Sequence, residues 1–165
     1  MATDTALDTV EVVEGPTWRW DESSLGDLGE ITSAMAVSGV EAYATSGARV
    51  LRYDGGSWAA FGTPTGAVVR GVTAINGSVI AVGEQGLIVR RDPGSLLWQV
   101  EESGTDATLH AVTHRSNGEL IAVGDSSTIL HYTPGSGWSE ANSAGSVSLR
   151  SVWATPGGEL SLIHI

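Results

Sequence analysis

Apolar residues along this chain come in short alternating runs, each closed by a turn rich in glycine. Val69-Arg-Gly-Val-Thr-Ala-Ile75 stops at Asn76-Gly77, and Ser78-Val-Ile-Ala-Val82 stops at Gly83-Glu-Gln-Gly86. Leu87-Ile-Val-Arg-Arg91 then stops at Asp92-Pro-Gly94, and a fourth run starts at Trp98. Alternation with a period of two marks half-buried strands, and Asn-Gly marks a tight hairpin because both residues tolerate positive φ. Helices need segments of about ten residues at a 3.6-residue period, and the recurrent Gly and Pro leave no room for them.

This unit of four runs recurs. Trp18, Trp58, Trp98 and Trp138 stand 40 residues apart, and copies fall at about 31–68, 69–108 and 109–148. Partial copies occupy 16–30 and 149–165, behind an acidic segment at 1–15 that is expected to be mostly loose apart from a strand at Val10-Glu11-Val12. Four short strands per repeat predict an all-β fold: a β-propeller segment with three complete four-stranded antiparallel blades and two partial ones. A single blade buries neither of its faces, so the unit must recur to make a core. Each repeated Trp is expected to anchor the outer strand of its blade, contributing about 2–3 kcal/mol by burial.

The pattern Leu109-x-x-Val112, Ala122-Val-Gly-Asp125, Ile129-Leu-His-Tyr132, Pro134-Gly135 and Trp138 resembles the bacterial and archaeal Asp-box propeller repeats, among them the BNR-like and photosystem II assembly factor-like families. The likeness covers roughly residues 31–160. Asp54-Gly-Gly-Ser-Trp58 and Asp92-Pro-Gly-Ser-Leu-Leu-Trp98 keep the Asp, Gly and Trp of the Asp-box, whereas Thr133 replaces the Asp in the third copy. The resemblance implies the propeller architecture and no particular activity, since propellers host many unrelated ones.

The repeat departs from its pattern after Glu159-Leu160, where the chain reads Ser161-Leu-Ile-His-Ile165 instead of a counterpart of Ile121 to Asp125. The expectation is a truncated piece, an open arc of a propeller with further blades of the same chain. The alternative is a closed four-bladed ring, in which residues 9–20 supply strands three and four, and 149–165 strands one and two, of one shared blade.

Charge narrows the choice of partner. The formal charge is −11 and all eight basic residues are arginine, which argues against nucleic acid or an anionic membrane as the main partner. The absence of cysteine excludes disulfides and thiolate chemistry. No apolar run approaches the ~20 residues that span a bilayer, so no membrane insertion is expected. The acidic N-terminus lacks the pattern of a conventional secretory signal. The expectation is a soluble protein, placed outside the cell or at its surface only if the precursor differs.

The candidate binding residues occupy the second position of each first strand. Arg70, His110 and Arg150 are spaced by 40, with Thr32 in the first copy. First strands lie nearest a propeller axis, so these side chains predict a basic axial arc that takes an anion or a partner protein. The competing and favoured reading is a repeated internal salt bridge to acids such as Glu84 or Asp125. His110 and His114, four apart on a strand, lie ~13 Å apart and cannot share an ion, so no metal is expected. No cofactor motif is present, and Gly124-Asp125-Ser126 aligns with Gly83-Glu84-Gln85 as an ordinary hairpin. Glu101-Glu102 reads as a solvated linker. Trp153, which replaces Thr73 and Thr113, is the tryptophan marked for an individual role.

The leading functional reading is a non-enzymatic interaction or scaffold module, binding a protein or carbohydrate partner through its loops or axial face. The alternative is a truncated fragment of a propeller hydrolase of the sialidase or glycosidase kind, whose Arg, Tyr and Glu residues would come from several blades.

Overall fold

Each alternating run becomes a strand, and each strand pairs with its neighbours in sequence. The computed structural model describes residues 29–141, 146–155 and 159–164. In the first sheet β1 (Ile31–Ser38), β2 (Glu41–Ser46), β3 (Arg49–Tyr53) and β4 (Trp58–Gly62) lie side by side in that order. The second sheet repeats the order with β5 (Val69–Ile75), β6 (Ser78–Gly83), β7 (Ile88–Arg91) and β8 (Gln99–Glu101). The third contains β9 (Leu109–His114), β10 (Leu120–Gly124), β11 (Ile129–Thr133) and β12 (Gly137–Ala141). The last sheet has two strands among the described residues, β13 (Leu149–Ala154) and β14 (Leu160–His164). All pairings are antiparallel.

This is the all-β propeller segment the repeats predict. Strands one to four of each copy are blade strands, counted outward from the axis. The proposed N-terminal strands around Val10–Val12 and Trp18–Trp20, and the strand-completion they would offer, lie outside the described residues. The departure at Ser161 does not stop the pairing: β14 continues against β13, with Trp153 opposite Ser161 and Leu149 opposite His164.

The core sits between blades. Tyr43 and Val50, with Met35 beside them, pack on Val69, Val72, Val79, Ala81, Leu87 and Val89 of the second blade. Ile80, Val82 and Ile88, on the second blade's other face, meet Leu109, Val112, Leu120, Ala122 and Leu130. Ile121 and Val123 of the third blade meet Leu149 and Val152 of the last. Each blade thus has a leading face toward the previous blade and a trailing face toward the next, and the two faces carry alternate residues of the same strand. First strands of successive blades adjoin: β1 with β5, β5 with β9, and β9 with β13.

Backbone bonds reinforce these joints. The turn after the second strand donates both to the segment leading into its own blade and to the segment leading into the next. Glu84 N donates to Val68 O at 2.9 Å and Asp125 N to Thr108 O at 2.9 Å; Gly86 N donates to Ala107 O at 3.0 Å and Ser127 N to Val147 O at 2.7 Å. Gly83 and Gly124 start these turns in extended conformation, and a Cβ on either would overlap the carbonyl oxygen of Val68 or Thr108. Glycine is needed there for room rather than for φ.

The described repeat tryptophans hold the outer strands, half-buried. Tyr53 and Trp58 pack as tilted rings 5.3 Å apart between centroids, and Tyr132 and Trp138 at 5.4 Å. Arg91 lies 5.0 Å from the Phe61 ring and 5.4 Å from that of Trp98, bridging the first two blades. Glu101 is not the solvated linker residue its sequence context suggests. It ends β8 and accepts from Arg90 Nε at 2.5 Å and from Trp138 Nε1 at 2.6 Å, so it clamps the second blade to the third. Among the described residues no helix is long and apolar enough to cross a membrane.

Candidate functional site

The arc is built by a defect repeated in every blade. Between first and second strands the pairing skips one residue. Ile31 faces Ser46 and Ser33 faces Thr45, leaving Thr32 without a partner. Val69 faces Gly83 and Gly71 faces Val82, leaving out Arg70. His110 is skipped between Leu109 and Ala111, and Arg150 between Leu149 and Ser151. A β-bulge re-aims the side chain of its extra residue, and here the four extra residues are the four positions of the arc.

What these side chains meet differs by blade. Thr32 Oγ1 shares a 2.8 Å hydrogen bond with Thr45 Oγ1. Arg70 Nη2 donates to Glu84 Oε1 at 2.6 Å, in an ion pair more than a third exposed that contributes on the order of 0–1 kcal/mol. His110 Nε2 lies 2.8 Å from Asp125 Oδ1, which also accepts from Ser148 Oγ at 2.6 Å. The Ser148 and His110 hydrogen bonds, helped by the charge of Arg150, hold the Asp125 carboxyl below its ordinary range against the opposing effect of burial.

Arg150 departs from the series. The repeat position of its acid, occupied by Glu84 and Asp125 in earlier blades, is Ile165. Its guanidinium turns instead to the neighbouring blade, with Nη1 3.2 Å from His110 Nδ1 and 2.8 Å from Nε2. The in-plane lone-pair directions of the two ring nitrogens diverge, so an atom this close to both sits over the ring face. Among the described residues Arg150 makes no ion pair, and it is exposed. The arc is therefore anchored at Arg70 and His110 and carries one cation open to solvent.

Below the arc the first strands enclose a cleft of about 410 Å³. Its walls include Ser33, Thr73, Thr113, His114, Ser151 and Trp153, and no Asp, Glu, Lys or Arg lines it. Thr73 Oγ1 and His114 Nδ1 are hydrogen-bonded at 2.9 Å across the second and third blades. The two histidines of β9 thus serve different partners, and no cluster of three potential metal ligands occurs among the described residues.

Sequence reasoning missed one trio. Tyr43 Oη donates to Glu41 Oε1 at 2.8 Å and Arg52 Nε donates to the same oxygen at 3.0 Å. An acid, an arginine and a tyrosine converging is what a sialidase-like reading calls for, but the chemistry here runs the other way. Burial and the Glu41 carboxylate push the Tyr43 phenol up, away from a nucleophilic phenolate. The Tyr43 and Arg52 hydrogen bonds hold Glu41 low, a poor proton donor or acceptor near neutrality. A single arginine is present, on the same blade as its partners. Asp54 likewise uses its carboxylate structurally, accepting from Gly56 N at 3.1 Å and Ser57 N at 2.9 Å in the turn before Trp58.

No protein-family model matches the chain, and no curated protein matches it in sequence. Solved structures do. A structure of YCF48 bound to a D1 peptide superposes with a TM-score of 0.63 at 20% identity, over 91% of this chain and 52% of that one. A protein of unknown function from Bacteroides caccae gives 0.60 at 16% identity, over 84% of this chain and 54% of the other. YCF48 from Cyanidioschyzon merolae gives 0.51 at 19% identity, over 70% and 44%. The likeness carries the propeller fold, and the chain spans about half the length of the structures it matches.

Proposed function

We propose that this chain is a non-enzymatic interaction module whose axial face binds a protein partner, with the arc of Arg70, His110 and Arg150 as its recognition element. The observation that carries this reading is the repeated bulge, which delivers one side chain per blade to the same rim. Arg150 is the anchor: among the described residues it has no carboxylate partner, and it is held over His110. Arg70 and His110 are committed to Glu84 and Asp125 and shape the rim. The uncharged cleft below suits an extended, uncharged stretch of polypeptide adjoining an acidic group. That pairing of an ionic anchor with a neutral groove favours a peptide over a carbohydrate. The peptide bound by YCF48 in a matched structure supports the choice of partner class.

The test is a peptide array in which a carboxylate adjoins four or five uncharged residues, probed with the chain and its variants. A hydrogen-bonded ion pair at Arg150 is worth ~1.5–3 kcal/mol, so Arg150→Ala should weaken the best peptides about tenfold or more. Arg70→Ala should weaken them less. Equal binding by wild type and both variants would exclude the arc.

A further inference from the structure

The second blade meets its two neighbours through outer joints built from similar parts, and one of the two lacks a member. Toward the third blade the set is one cation, one anion and two rings. Glu101 accepts from Arg90 Nε and from Trp138 Nε1, the Arg90 guanidinium lies 4.8 Å from the Tyr132 ring centroid, and Tyr132 packs on Trp138. Toward the first blade, cation and ring have changed places. Arg91 stands beside Trp98 as Tyr132 stands beside Trp138, and Phe61 occupies the register position of Glu101: it faces Val50 as Glu101 faces Ile88. The Arg91 guanidinium lies over both rings, 5.0 Å from the centroid of Phe61 and 5.4 Å from that of Trp98. Arg52, the register counterpart of Arg90, has its own acid in Glu41. No acid is left for Arg91.

Two donors at this joint therefore go unmatched. Arg91 is only 9% exposed, yet among the described residues it makes no ion pair and no side-chain hydrogen bond. Glu41, held low first by its hydrogen bonds from Tyr43 and Arg52 and only lastly by the charge of Arg91, is not its partner. Trp98 Nε1 is enclosed and has no acceptor, where Trp138 Nε1 has Glu101. No nitrogen of Arg91 is enclosed in that way, so its N–H groups still meet solvent. A buried charge without a counter-ion and a buried N–H without an acceptor each carry a cost that a bound anion removes. The joint lies between two complete blades, and none of these residues belongs to the arc or lines the cleft beneath it.

We infer that the joint of the first and second blades is a carboxylate-binding site, in which Arg91 supplies the charge and Trp98 the second donor. The ligand class is read from the neighbouring joint, where a carboxylate at the same register position takes the same indole N–H. An incoming carboxylate meets Arg91 first, and its other oxygen reaches the Trp98 N–H as the half-buried Phe61 ring moves aside. A monoanion suits the place better than a phosphate dianion, because Asp92 follows Arg91 and the whole chain carries a formal charge of −11. This goes beyond the partner reading above, since no residue of the arc takes part.

Sodium propionate titrated into the isotope-labelled chain tests the site by NMR, through the indole N–H signal of Trp98, assigned by its loss in Trp98→Phe. The signal should move downfield and saturate, and should do the same in Arg150→Ala, which separates this site from the arc. Arg91→Gln should weaken propionate about tenfold or more, the loss of a charge-assisted hydrogen bond. Phe61→Glu supplies the carboxylate from within: its Trp98 signal should stand shifted without propionate and no longer respond, and it decides alone if Arg91→Gln fails to fold. A serine-alanine peptide with a single glutamate separates the sources. Binding well above that of propionate marks a side chain of a partner protein, and equal binding marks a free small acid. No saturating shift, an unaltered response in Arg91→Gln, or an equal shift with uncharged propionamide would overturn the inference.

Discussion

The hairpin β9–β10 and the hairpin β13–β14 are copies of one another with opposite surroundings. Their pairing agrees down to the bulge: His110 is skipped in one and Arg150 in the other, and Ala154 faces Leu160 as His114 faces Leu120. Yet Leu120 is fully buried and Leu160 is 42% exposed. In the third blade β11 and β12 complete the sheet and the adjoining blades cover both faces. Beside β14 no third strand lies among the described residues. Strand identity and register are therefore local properties, set by alternation and the turn, whereas burial is a property of neighbours. The same comparison separates the arc residues: His110 has the acid of its own turn, and Arg150 borrows the imidazole of the blade before.

The largest effect should come from the turn that packs against its own blade's lead-in. Gly124→Ala drives a Cβ into the Thr108 carbonyl, and Gly83→Ala does the same at Val68, so each should cost about 3 kcal/mol or more in urea unfolding. If either is silent, the close approach of turn and lead-in is not what fixes the start of that blade. Next, Leu120→Ala should cost ~2–5 kcal/mol, and Leu160→Ala at the matching position under ~1 kcal/mol. Equal losses would mean that the leading face of the terminal hairpin is covered in solution by another part of the protein. The smallest effect is acid-dependent. The folded Asp125 carboxyl lies below its ordinary 3.8, so its contribution is present above that value and is lost as pH falls through the lowered one. Stability of the chain should therefore decline below about pH 4, and Asp125→Asn should flatten that part of the acid limb. An unchanged acid limb would show that the Ser148 and His110 hydrogen bonds do not bias the carboxyl.

Much of the architecture was legible from one residue type. The 40-residue spacing of tryptophan located the blades because Trp58, Trp98 and Trp138 each sit within one residue of the start of a fourth strand. The equivalence of Arg70, His110 and Arg150 across the blades was legible for the same reason, and so was the pairing of Arg70 with Glu84. The bulge that presents them was not, since it arises from backbone pairing opposite Gly83 and Gly124 and leaves no mark at the bulged residue, which is Thr, Arg or His in turn. Glu101 was misread because its two partners, Arg90 and Trp138, lie 11 and 37 residues away. The Tyr43–Glu41–Arg52 trio escaped notice because it joins two strands across a turn, where alternation says nothing of hydrogen bonds.

The hydrogen bonds from each turn to the next lead-in have a consequence for inheritance. They run between peptide groups, so they ask almost nothing of side chains beyond one small residue at the corner. A duplicated unit can dock on its parent from the moment it appears, before any of its surface has adapted. Its side chains are then free to drift toward new ligands while the joint stays intact. A joint made this way lets blades multiply and diverge until only the shape records their common plan.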